Sequence, residues 1–133
     1  MNTIRKFGPL LGRILLALIF IISGFGKIMG FEGTLGYIRS AGMPAAQLSA
    51  ILAIVIELGG GVLLVLGWKA RWAAAALFVF VFFAAIYFHA FWAASPEQAM
   101  MQQIQFMKNL AIMGGMLYVV VYGSGPYSVD RNP

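Results

Sequence analysis

Four apolar stretches, each long enough to cross a bilayer and separated only by short polar segments, dominate this chain. A helix rising about 1.5 Å per residue needs about 20 residues to cover roughly 30 Å of hydrocarbon. The stretches fall at about 10–27, 45–67, 72–92 and 104–122, and in 133 residues they leave room only for loops and short tails. Hydrophobic residues make up 62% of the chain and charged ones 10%, with a mean hydropathy of +0.89. Hydrocarbon offers backbone groups no water, so each span must satisfy its own N–H and C=O groups as a helix. The expectation is a single all-α membrane domain over residues 1–133, an integral four-helix bundle whose first partner is the lipid bilayer.

Local signals refine the outline. Pro9 follows Gly8 and suits a first helical turn, where its missing N–H is not needed. Phe31, Leu35 and Ile38 recur at helical spacing, with Glu32 and Arg39 off that stripe, so a short interfacial helix is expected between spans one and two. Gly42 and Pro44 end it, and Pro44 is placed to open span two. Trp68-Lys69-Ala70-Arg71-Trp72 reads as a tight basic turn flanked by interfacial indoles. Ser95-Pro96-Glu97-Gln98 has the form of a capping box ahead of span four, and Gly123-Ser124-Gly125-Pro126 stops that span. Arg5 and Lys6 ahead of an apolar run imitate a secretory signal, but the run is long and lacks a convincing cleavage site, so a retained span is expected. With both termini inside, Arg5, Lys6, Lys69, Arg71 and Arg131 face the cytoplasm, against Lys27, Arg39 and Lys108 outside; the larger inner set orients the bundle N-in, C-in.

A net charge of +5 is carried by residues scattered between apolar runs, which argues against a nucleic-acid surface. The chain has no cysteine and one histidine, His89. Thiol chemistry and cysteine-held clusters are thereby excluded, and neither a metal nor a haem is expected from this chain's own ligands.

The informative residues are the ionisable ones within the spans. Glu57 lies mid-span, where an acidic side chain costs about 3 kcal/mol on insertion scales, so it is expected to face other helices. Ala53, Gly60, Gly61 and Leu64 share its face, the small residues admitting a neighbouring backbone. In span one Arg13, Ala17, Phe20, Gly24 and Lys27 form a stripe at alternating steps of four and three. Arg13 near one end and Lys27 near the other are both candidate counter-ions for Glu57. Late in span three comes His89, and early in span four Lys108-Asn109, at heights comparable with Lys27. A polar cluster of Lys27, Glu57, His89, Lys108 and Asn109 opening outward is therefore expected, with Arg13 a more peripheral member and an anchoring role for it favoured. The bland alternative is that the lysines and His89 snorkel to headgroups and that Glu57 serves as structural glue.

Five segments carry a family resemblance. They are Gly12-Arg13 running into Ser23-Gly24-Phe25-Gly26-Lys27, then Glu57-Leu58-Gly59-Gly60-Gly61 leading to Leu66-Gly67, then His89, Lys108-Asn109-Leu110-Ala111, and Gly114-Gly115. In this order and spacing the chain resembles the DoxX family of small bacterial inner-membrane proteins. The resemblance implies four membrane helices and, for some relatives, association with quinol oxidation or other membrane redox systems. It points to an accessory or quinone-binding subunit, with partners among other membrane or redox-complex subunits, and not to a stand-alone enzyme. Two alternatives stand beside it: a small proton-coupled exporter, disfavoured because the only carboxylate within a span is in span two, and a structural membrane protein with no ligand.

Overall fold

The computed structural model describes residues 2–130 and is helical throughout its spans; Arg131, counted above among the inner basic residues, lies outside them. Helix α1 covers Thr3–Met29 and α2 covers Phe31–Ser40. Helix α3 runs Ala46–Leu66 and includes a π-helical stretch at Val55–Gly59. Helix α4 covers Ala70–Phe88, followed by a 3₁₀ turn at Phe91–Ala93, and α5 covers Pro96–Tyr122. Four of these segments, all but α2, are long and apolar enough to span a membrane, as the hydropathy pattern requires.

Two boundary expectations need correction. Helix α1 starts six residues before Pro9, because the Asn2 side chain accepts from the Arg5 amide at 2.9 Å and caps the helix there. Pro9 is thus inside the helix. Its ring packs against Gly125, where a Cβ would come within 2.7 Å of the Pro9 Cβ and where φ is +75°. The capping box at Ser95 does not form: the Ser95 side chain makes no cap bond. Its backbone carbonyl accepts from the Gln98 amide at 3.0 Å, so the N–H that the hydroxyl would have capped is already satisfied by a tightened first turn.

The core is built from the small-residue faces the sequence displays. On α4, Ala70, Ala73, Ala74, Leu77, Val81 and Ala85 are buried on one stripe. Gly60 of α3 meets Leu77 so closely that a Cβ would lie 2.9 Å from its Cγ, and Gly61 meets Ile21 of α1 at 2.7 Å. Ala17, Phe20, Leu64 and Met116 complete the same cluster. Large apolar side chains such as Leu15, Ile22, Phe83 and Val121 are exposed on the outside, as lipid contact demands. The short helix α2 turns Leu35 and Ile38 onto Ala50 and Phe88, the apolar face its sequence shows.

The start of α1 and the segment after α5 lie at one end of the bundle, and Arg13 fastens that end. Its guanidinium donates from Nη1 to the carbonyls of Leu64 and Val65 at 2.9 and 3.0 Å, and from Nη2 to those of Pro126 and Tyr127 at 3.2 and 2.8 Å. The Leu64 carbonyl also accepts from the Gly67 amide at 3.1 Å, whereas the Val65 carbonyl is among those that the α3 C-terminus leaves to other donors. Asp130 then accepts from the Lys69 and Ala70 amides at 2.7 and 3.1 Å, placing negative charge at the α4 N-terminus. Phe7 stacks on Tyr127 with ring centroids 5.3 Å apart. Lysine cannot reproduce this planar fork. Arg13→Lys is therefore expected to lower the thermal unfolding temperature in detergent, and Arg13→Ala to destabilise by about 3 kcal/mol, since removing it takes the donor from the Val65, Pro126 and Tyr127 carbonyls.

Candidate functional site

The site is assembled where α1 crosses α3. Glu57 sits in the π-helical stretch Val55–Gly59, and such local widening recurs at functional positions. Gly24 of α1 lies directly opposite: a Cβ there would be 2.8 Å from Leu58 Cγ, 3.2 Å from the Leu58 amide nitrogen and 3.3 Å from Glu57 Cβ. The glycine thus lets the two backbones touch beside the carboxylate.

One turn further along α1, Lys27 brings its Nζ to 2.7 Å from Glu57 Oε1. The carboxylate is 3% exposed and the lysine side chain 27%, so the acid is buried while the ammonium retains one open flank. The contact is an ion pair without an aligned hydrogen bond at Oε1; the well-directed bond of the ammonium goes to Ser23 Oγ at 2.8 Å. Of the two candidate counter-ions, the geometry selects Lys27, while Arg13 is committed to the carbonyls at the termini end.

The ion pair forms part of the wall of a cavity of about 530 Å³. His89 and Asn109 line it too, together with Ser23, Thr34, Tyr37 and Ser49. Phe20, Phe80, Phe83 and Phe88 supply aromatic wall, and Tyr37 stacks on Phe88 with centroids 4.8 Å apart. His89 occupies the C-cap of α4 and holds its Nδ1 2.9 Å from Gln102 Oε1 of α5. In the neutral ring this contact makes Nδ1 the donor and Nε2 the acceptor.

Four of the six polar residues singled out in the sequence thus converge: Lys27, Glu57, His89 and Asn109. Lys108 does not line the cavity; it is exposed on the neighbouring face of α5, because adjacent helical residues point about 100° apart. Arg13 belongs to the opposite end of the bundle. Thr34, Tyr37 and Ser49 escaped sequence reasoning. Tyr37 and Thr34 stand on the amphipathic helix α2, whose polar side looks like a solvated face until the helix folds over the cavity.

A helical bundle crossing the membrane four times, with an ion pair in the wall of a mostly apolar cavity, defines a class of small multi-pass membrane protein. Within that class, the DoxX family model matches residues 8–90. The chain is 37% identical to the inner membrane protein YphA of Escherichia coli (strain K12), across 98% of this chain and 99% of YphA. It is also 37% identical to the inner membrane protein YqjF of the same organism, across 98% of this chain and 95% of YqjF. The CatD protein of Bacillus subtilis (strain 168), whose name carries the word oxidoreductase, is 39% identical across 53% of this chain and 52% of its own length. No solved structure matches the chain. The chain belongs to the DoxX family and is a multi-pass inner-membrane protein.

Removing one member of the pair leaves the other charge stranded in low dielectric. Lys27→Met is expected to destabilise more than Glu57→Gln, and the double variant less than the sum of the two. The double-mutant cycle should return a coupling of about 1–3 kcal/mol, read from unfolding in detergent; additive effects would show that the two side chains do not interact.

Proposed function

We propose that this protein is a binding subunit that holds a small lipophilic molecule with a hydrogen-bonding head, such as a quinone, and serves a membrane redox or stress-response system as an accessory component. The observation that carries the reading is the setting of the Lys27–Glu57 pair: it borders a cavity of about 530 Å³, within the roughly 300–1,000 Å³ common for small-molecule sites, in place of a filled core. An ion pair serving only as glue gains nothing from an adjoining void lined by further polar groups. The lining suits a head with carbonyl or hydroxyl oxygens: the ammonium, the Ser23 and Tyr37 hydroxyls and the Asn109 amide donate, Glu57 accepts, and aromatic rings cover the faces. The oxidoreductase in the name of CatD is consistent with a redox setting.

The chain's own residues supply binding, orientation and exclusion of water, and any electron transfer belongs to the bound molecule or to partner subunits. In this reading the end holding Arg5, Lys6, Lys69 and Arg71 faces the cytoplasm and the cavity lies toward the outer leaflet, in keeping with the excess of basic residues at the termini end.

Saturating ubiquinone and menaquinone analogues should raise the unfolding temperature in detergent by several degrees, since ligand at about 100 times its Kd adds about 2.7 kcal/mol. His89→Ala and Asn109→Ala should remove the shift while leaving the unliganded protein nearly as stable. An unmoved transition in the folded wild-type protein would overturn the proposal.

A further inference from the structure

The cavity does not end at its polar wall. Met43, Ser49, Ala53, Phe80 and Phe83 line it and equally line a second, more open groove of about 620 Å³ between α3 and α4. The rest of that groove is apolar: Leu52 and Ile56 on α3, and Trp72, Ala75, Ala76 and Val79 on α4. Leu52, Val79 and Trp72 are 50–79% exposed, and both helices are membrane spans, so the groove opens onto acyl chains and not onto water. From Phe83 to Trp72 it follows α4 for about 16 Å, at about 1.5 Å per residue, ending at an indole at the termini end.

We infer that the site takes a single-chain amphiphile, whose oxygen-bearing head sits beside Lys27 and Glu57 and whose alkyl or prenyl tail leaves sideways through the gap flanked by Ala53, Phe80 and Phe83 to lie in the α3–α4 groove. This rests on the binding-site reading above and goes beyond it by fixing the shape of the ligand and its route. The continuity of the two spaces specifies the occupant. A head group alone fills the polar end and leaves the groove to bulk lipid, whereas a molecule with both parts matches the polar-to-apolar sequence along one path. One tail occupies the groove that is continuous with the cavity. The tail adds little affinity, because lipid solvates an alkyl chain as well as the groove does. Its consequence is steric: the ligand reaches the pocket from within the bilayer, and anything that fills the groove excludes a tailed molecule while sparing a bare head.

The test pairs two probes, a benzoquinone with no chain and the same ring carrying a decyl chain, with three variants in detergent-purified full-length protein. Val79→Trp and Leu52→Trp fill the groove from exposed positions outside the polar pocket, and Val62→Trp places the same bulk on an exposed position of α3 that does not line the groove. The groove variants should weaken binding of the decyl probe at least tenfold and leave the chainless probe within twofold of wild type; Val62→Trp should change neither. Unaltered decyl binding in both groove variants would overturn the tail route while leaving the polar pocket standing. Equal loss of both probes would overturn it as well, by showing that the substitutions act on the head site. If neither probe binds wild-type protein, the binding-site reading falls and the tail route with it.

Discussion

A carboxylate at mid-depth in hydrocarbon must find a cation or a hydrogen-bond donor within the protein, because lipid supplies neither. Glu57 finds Lys27, and much of the bundle is arranged around that contact. For the ammonium to reach the acid, α1 and α3 must approach until their backbones nearly touch, which Gly24 and Gly61 permit. Glu57 itself sits in a π-helical stretch of α3. Close packing of this kind replaces the hydrophobic drive that operates in water and is absent between helices in lipid.

The two cations on the inner stripe of α1 illustrate how position decides role. Arg13 and Lys27 lie fourteen residues apart on the same face, yet Arg13 acts as a fork donating four bonds to helix-end and tail carbonyls, and Lys27 as a point charge for a single acid. The guanidinium stays charged and is weakly hydrated, which suits permanent burial among carbonyls. The ammonium keeps an open flank at the cavity and donates to Ser23 as well, leaving it able to engage another oxygen.

The spans, the inward face of α3 and the stripe on α1 were legible from the sequence, because apolar length and small-residue periodicity report directly on the bilayer and on helix contact. Lys27, His89 and Asn109 could be brought to one height, with Glu57 beneath them, by counting turns from each end. Counting could not separate Lys108 from Asn109, since height along the axis says nothing about azimuth. Nor could it choose between Arg13 and Lys27, both within reach of Glu57 on a straight-helix estimate; the choice depends on the tail folding back to offer Pro126 and Tyr127 carbonyls to Arg13. The π-helical stretch leaves no mark in residue type. Thr34 and Tyr37 became visible as lining residues only once α2 was seen to pack over α3 and α4.

The Lys27–Glu57 contact is the point on which the cavity, the helix crossing and the binding reading all depend. Solid-state NMR can measure it in lipid bilayers, through the dipolar coupling between the Lys27 Nζ nitrogen and the Glu57 carboxyl carbon in selectively labelled protein. A strong coupling, as a nitrogen 2.7 Å from a carboxylate oxygen requires, and its loss in Lys27→Arg or Glu57→Gln controls, is the predicted result. A folded protein in which the two nuclei show no measurable coupling would contradict the account.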